Sequence, residues 1–434
     1  MKLTLQEAKQ IMKANNGNLD FKYHTEITEL PEELTVGGCL NIRGTKIKEL
    51  PERLVVGGYL DISGTKIKEL PEELTVGGTF FMNHTKVKEL PEGLIVGGSL
   101  DICYTGITEL PEGLVVKGDL DMSYTKIREL PEGLVVGGNL DISDTKIRKL
   151  PEGLVVKGDL DMSYTKIREL PEKLIVGGSL DISGTGIRKL PEGLTVGGTF
   201  FMNNTKVKAL PEGLIVGESL DISDTKIKKL PEGLIVGGSL DICYTGITEL
   251  PEGMTIGGGL YMHYTGITKL PDDLAVGQTI FQNGKHFRSS KTLQQGDYVP
   301  GRYLYADGIL THISKKKSYK GYDIYVGKIK GQNVVSDGTY YAHCDKVRDG
   351  IADLRFKRIK DRGAEQYSGL TLDSELTPDE AITMYRVITG ACRQGTQAFV
   401  DSLGKLEEFY SIREIIALTE GRCGASQFKR FFEQ

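Results

Sequence analysis

Tryptophan is absent from these 434 residues. Cysteine is scarce: Cys39, Cys103, Cys243, Cys344, Cys392 and Cys423 are scattered, and none forms a Cys-x-x-Cys pair. That spacing argues against a disulfide framework or a zinc cluster. No stretch approaches the ~20 apolar residues of a membrane span. Charge of one sign is lacking too. A formal net charge of -5 is small for this length, so overall charge favours neither nucleic acid nor a membrane surface. The opening MKLTLQEAKQIMKANNG has no charged, apolar, small-residue leader pattern. The expected compartment is a reducing cytoplasm, with export that reads no cleavable signal as the other route.

What the chain has in excess is glycine, 55 residues, about 13% against a usual level of roughly 7%. Each glycine costs backbone entropy, so the excess needs a repeating cause. Self-comparison supplies it. Leu-Pro stands at 30–31 and recurs every 20 residues to 270–271. One unit, Ser99 to Gly118, reads SLDICYTGITELPEGLVVKG. Its apolar positions are Leu100, Ile102, Ile107, Leu110, Leu114 and Val116, and Thr105 recurs as threonine from Thr25 to Thr265.

Leu100-Asp101-Ile102 alternates apolar and polar, as a half-buried strand does. Stacked units predict a parallel sheet, and thirteen of them at ~4.8 Å would span very roughly 60 Å. Pro111 turns the chain away, since it fixes φ and cannot donate to a ladder. Leu114 and Val116 are expected on the opposite wall. The Gly-Gly pairs at 37–38, 57–58 and 97–98 are expected to permit a tight return. The threonine hydroxyls are expected to bond loops of neighbouring units, since buried polar groups need partners. A repeat cannot bury its apolar side alone, so the array needs caps. An amphipathic helix over residues 1–18, with Thr4 as N-cap and Glu7 three residues on, is the first.

The pattern LxIxxTxIxxLPxxLxV resembles the bacterial leucine-rich repeat family, whose pattern is LxLxxNxLxxLPxxL. The match covers residues 19 to about 283, with threonine in the usual asparagine position and an added V-G-G ending. The resemblance implies a curved, right-handed α/β solenoid whose strand face binds proteins. Some relatives are secreted effectors carrying a carboxy-terminal ubiquitin-ligase domain; that domain's Cys-x-Asp signature is not found here. The expected organisation is a capping helix (1–18), about 13 repeats (19–284) and a small α+β capping or effector domain (285–434).

The outward strand position is Asp61, Asp101, Asp121, Asp141, Asp161, Asp181, Asp221 and Asp241 in eight units, and Phe81, Phe201, Tyr261 and Phe281 in four others. Tyr104, Tyr124, Tyr164, Tyr244 and Tyr264 stand nearby, and Asp119, Asp144, Asp159 and Asp224 add acid. Aligned like charges destabilise a sheet, so this acidic and aromatic face points to a protein partner with a basic surface. The plain alternative is copying. GGSLDICYTGITELPEG occurs at 97–113 and again at 237–253, so duplication alone would give identical surface residues. Lys46, Lys66, Lys126 and Lys166 read as a solvated edge.

Beyond Phe281 the spacing fails. RYLYADGILTHI, GYDIYVGKI and GTYYAHC read as strands, with a tight turn at Asp307-Gly308. Residues 345–362 read as a helix. Thr377-Pro378-Asp379-Glu380 starts another, ACRQGTQAFVDSL continues it or forms a second, and SIREIIALT and ASQFKRFFE close the chain helically. His343 and Cys344 are sequence neighbours, which a strand places on opposite faces. Cys392, with His312 or His343 as base, would need hydrogen-bond reach; a helical cysteine is more commonly packing. Lys315-Lys316-Lys317-Ser318-Tyr319-Lys320 reads as a charged hairpin tip rather than a grip on single-stranded nucleic acid. No catalytic residue, metal ligand or cofactor site is assigned. The leading expectation is a protein-binding scaffold. The rival is a secreted or phage-associated effector enzyme whose repeats select a substrate for the final domain.

Overall fold

The computed structural model describes residues 2–289, 291–391, 393–422 and 424–433, without the side chains of Arg393, Gln394 and Ala398. The chain divides into two compact units, residues 1–312 and 313–434.

The first unit is a parallel β-solenoid. Two-residue strands such as Leu100–Asp101 and Leu120–Asp121 stack in sequence order into a 15-stranded sheet that begins at Leu19–Asp20. The partners lie 20 residues apart, Leu120 against Leu100 and Leu140. A second, 13-stranded sheet runs through Val115–Val116 and its equivalents. A third ladder of single backbone bonds follows the threonine, as from Lys126 N–H to the Ile107 carbonyl and from Lys146 N–H to Ile127. Leu100, Ile102, Ile107, Leu110, Leu114 and Val116 are all buried. Each buried aliphatic side chain contributes roughly 1.5–3 kcal/mol of transfer free energy.

The threonines differ from expectation. Thr105 Oγ1 donates to the Ile102 carbonyl at 2.7 Å, and Thr125, Thr145, Thr165, Thr185, Thr205, Thr225 and Thr245 repeat the bond. The hydroxyl closes a turn within its own unit, because a side chain this short reaches the carbonyl three residues back more readily than a neighbouring loop. The Gly-Gly pairs also differ. Neither glycine of a pair has a positive φ; what they provide is close approach. A Cβ on Gly57 would lie 2.4 Å from the Gly37 carbonyl oxygen, and one on Gly78 would lie 2.8 Å from the Gly58 carbonyl carbon. Left-handed glycines stand elsewhere in the unit, as in Leu-Pro-Glu-Gly, with Gly113 at φ 71° and Gly133 at φ 78°.

Both ends of the solenoid are covered. Helix α1 (Leu5–Ala14) starts with Thr4 and Glu7 in a reciprocal capping box. Leu3 and Ala8 are buried, and Leu5, Ile11 and Met12 pack on the repeat core. At the far end Ile280–Gln282 pairs antiparallel with Lys285–Phe287. The strands Asp297–Val299 and Tyr303–Ala306 then pair, and Tyr303–Ala306 pairs with Ile309–His312 across a turn whose Asp307 and Gly308 both have positive φ. Leu293, Tyr303 and Leu310 cluster with Ile235 and Ala275 of the repeats. Arg302 donates to the Gly233 and Gly253 carbonyls at 3.0 Å each, and the buried His312 Nε2 lies 3.0 Å from the Val216 carbonyl.

In the second unit, the strand Ile309–Tyr319 from Ile313 onward pairs with Tyr322–Gly327, followed by Asn333–Ser336 and Tyr341–Cys344. Helix α2 (Val347–Asp361) packs on these strands through Leu354 against Val335 and Ala342. A second core joins helices α3 (Pro378–Thr389), α5 (Ile412–Leu418) and α6 (Ala425–Phe432) through Met384, Ile388, Ile412, Ile415 and Phe428; α4 (Arg393–Ser402) precedes α5. Thr377 is the N-cap with Pro378 in the first turn, as expected, and Glu380 completes a capping box with it. Among the described residues no helix is long and apolar enough to cross a membrane.

Candidate partner-binding face

The first sheet sets the acids in register. Asp101, Asp121, Asp141, Asp161 and Asp181 are successive neighbours on one ladder, an unbroken column of five carboxylates. Phe81 separates Asp61 from Asp101, and Phe201 separates Asp181 from Asp221. Asp241 follows Asp221, then Tyr261 and Phe281.

These carboxylates are less exposed than the alternation implies. Asp61 is buried and the others are half-buried. Each turns one oxygen onto the backbone N–H two residues on: Asp121 Oδ1 accepts from Ser123 and Asp141 Oδ1 from Ser143, both at 2.9 Å. The same bond recurs at Asp61, Asp101, Asp161, Asp181, Asp221 and Asp241. Aspartate suits the position because its short acceptor closes this turn locally. Asparagine serves the same way once, Asn41 Oδ1 accepting from Arg43. The column is strained electrostatically. Burial, opposed by the hydrogen bonds from Ser143, Ser183 and Ser223 and reinforced by neighbouring carboxylates, holds Asp141, Asp181 and Asp221 above the usual aspartate range.

The tyrosines form a second column beside the first. Tyr104, Tyr124, Tyr164, Tyr244 and Tyr264 all adopt left-handed φ of 54 to 58°, where Gly44, Gly64 and Gly184 stand in other units. That conformation costs a residue with a Cβ roughly 1–2 kcal/mol. The rings are 48 to 67% exposed. His84, Tyr104 and Tyr124 stack face on face, with centroids 4.6 and 4.4 Å apart. Tyr244 and Tyr264 stack at 4.7 Å, and Tyr261 and Phe281 at 4.8 Å. The solenoid pitch sets this spacing, and stacking returns about 0.5–1.5 kcal/mol per pair. A hydrogen bond to Asp144 pushes the Tyr124 hydroxyl up to about 12. Asp119 and Asp159 stand before the strands and cap the next unit, accepting from the N–H of Asn139 at 2.7 Å and of Ser179 at 2.6 Å.

Asp101, Cys103 and Asp121 bring ligand atoms within 4.8 Å of one another. Burial, and then Asp101, push the Cys103 thiol well up. In the second unit His343 lies on the strand Tyr341–Cys344; Cys392 lies outside the described residues. A cavity of about 390 Å³ lies among α3, α4 and α5, and its lining, from Ala381 and Tyr385 to Phe399 and Leu403, includes no carboxylate, imidazole or thiol among the described residues. At the hairpin tip Lys316 pairs with Asp323 at 2.8 Å and sits over the Tyr325 ring.

Two parallel sheets with a 20-residue period and a LxIxxTxIxxLPxxLxV unit define a leucine-rich repeat solenoid. No protein-family model and no curated protein matches the chain. Among solved structures it is similar to YopM, a leucine-rich effector protein from Yersinia pestis, at 17% identity over 62% of this chain and 91% of that one, with a TM-score of 0.39. It is similar also to YopM from Yersinia enterocolitica, at 20% identity over 63% and 81%, TM-score 0.34. A Shigella effector leucine-rich repeat domain matches at 15% identity over 61% and 76%, TM-score 0.17. The fold assignment stands on the ladders of this chain itself.

Proposed function

We propose that the chain is a protein-binding scaffold whose strand face takes a partner with a basic surface. The observation that carries this reading is the unbroken carboxylate column from Asp101 to Asp181, flanked by the exposed stack of His84, Tyr104 and Tyr124. The turn bond occupies one oxygen of each carboxylate. Asn41 shows that a neutral side chain closes the same turn, so the charge is surplus to the fold. Five like charges in register act against the sheet, and a cationic partner would convert that repulsion into attraction. Guanidinium groups fit both columns, since they pair with carboxylates and stack on aromatic faces.

The test is a binding titration of an arginine-rich peptide against the full chain and against the triple variant Asp121→Asn, Asp141→Asn, Asp161→Asn. The variant should bind at least about tenfold more weakly at low salt, with the difference shrinking as salt screens the charges. Equal affinity at every salt concentration would overturn the reading.

A further inference from the structure

The second sheet carries a stripe that the strand face does not explain. Its outward position holds Ile95, Val115, Val135, Val155 and Ile175 in five consecutive units, all 49 to 60% exposed. The strands are in register, Val115 opposite Val135 and Val155 opposite Ile175, so the side chains form one apolar ridge roughly 20 Å long at the parallel-strand spacing. Contiguous apolar surface of this kind marks an interface more often than free surface. The rest of the column shows what such an interface looks like. At Ile235, Thr255 and Ala275 the same position is 8%, 4% and 1% exposed, because the strands that include Tyr303 and Leu310 cover it. The exposed stripe thus continues a covered apolar surface, and the cover reaches only the last units.

We propose that a second copy of this chain covers the stripe, pairing the two solenoids through their second sheets. Two features of the stripe and its surroundings favour a copy over another protein. A ridge of β-branched side chains at a fixed spacing matches itself, since side chains of identical period meet unit for unit along its whole length. The charges beside it are also self-complementary. Each strand is preceded by an exposed glutamate, Glu112, Glu132 or Glu152, while exposed Lys117 and Lys157 follow it. A two-fold axis parallel to the solenoid axis reverses the strand direction and keeps the unit order. It sets Lys117 and Lys157 of one copy over the Glu112 and Glu152 edge of the other. An axis along the strands would oppose glutamate to glutamate. Pairing through the second sheet does not use the acidic column of the first sheet, so the dimer would present the partner-binding face twice.

The test is the mass of the full chain by sedimentation and light scattering up to about 100 µM, a weak-dimer range. The variant Val115→Thr, Val135→Thr, Val155→Thr keeps β-branching and uses the residue that already stands here at Thr75 and Thr195, so it should fold and melt like the parent. The parent should run as a dimer, and the threonine variant should dissociate at least about tenfold more readily. Lys117→Glu with Lys157→Glu should weaken the dimer, and adding Glu112→Lys with Glu152→Lys should restore it. A monomeric parent throughout, or a dimer indifferent to the threonine substitutions, would overturn the proposal. A dimer weakened by threonine but not rescued by the charge exchange would overturn the two-fold geometry.

Discussion

At the residue scale, one side chain type does two jobs that pull in opposite directions. Aspartate closes the turn after each strand, and its charge repels the next unit's aspartate. The turn needs only the acceptor, so charge removal should stabilise the fold. Replacing Asp121, Asp141 and Asp161 by asparagine should raise stability by about 1–2 kcal/mol, taking cross-strand like-charge repulsion as a few tenths to 1 kcal/mol per pair. Thermal melting at neutral pH checks this, and a lower melting temperature would show that the carboxylates accept bonds that asparagine cannot. The pH dependence follows from the same carboxylates. Asp141, Asp181 and Asp221 are held above the usual 3.8 in the fold, so the folded state binds more protons than the unfolded chain. Their contribution to stability is fully present below the unfolded value and is lost as pH rises through the raised ones. These groups should therefore lower the parent's melting temperature as pH rises above the ordinary aspartate value, and this fall should be smaller in a variant with Asp141, Asp181 and Asp221 changed to asparagine. Identical pH profiles would contradict the electrostatic account. The in-register column of acids was readable from the 20-residue period, but its half-burial was not. Alternation says which way a side chain points, and says nothing of the serine turn that folds back over it.

At the scale of elements, strands with alternation were legible and strands without it were not. Leu100-Asp101-Ile102 announces itself. Leu114-Val115-Val116 is apolar throughout, so the second sheet could be placed as a wall but not as strands with an outward Val115. The strand Asn333–Ser336 escaped notice for a related reason: four residues are too few to show a period. The capping box at Thr4 and the N-cap at Thr377 were legible because their chemistry is local. The contact of Arg302 with the repeats was not, since its acceptors Gly233 and Gly253 lie 69 and 49 residues away. Charge-assisted hydrogen bonds contribute about 1.5–3 kcal/mol. Arg302→Ala should thus loosen the strands Asp297–Val299 and Tyr303–Ala306, raising their amide hydrogen exchange several-fold while units before residue 200 exchange as before. Unchanged exchange at these strands would place the hold in Tyr303 and Leu310 alone.

At the scale of the whole molecule, the solenoid is a stack in which each unit touches only its neighbours, so its ends decide its solubility. Removing residues 1–18 takes away Leu3, Ala8 and the helix over the first repeat. The truncated chain should melt earlier or aggregate, and an unchanged, monodisperse melt would mean that the first repeat closes itself. The stack also fixes what the protein can offer a partner: columns of one residue type at the strand spacing, acids in one and aromatic rings in the next. The most direct measurement of the central claim is hydroxyl-radical footprinting of the full chain with and without a bound arginine-rich peptide. The account predicts protection of Tyr104, Tyr124 and Phe81, with the exposed Tyr319 and Phe409 unaffected. Protection confined to residues 313–434, or none on the strand face at saturating peptide, would contradict it.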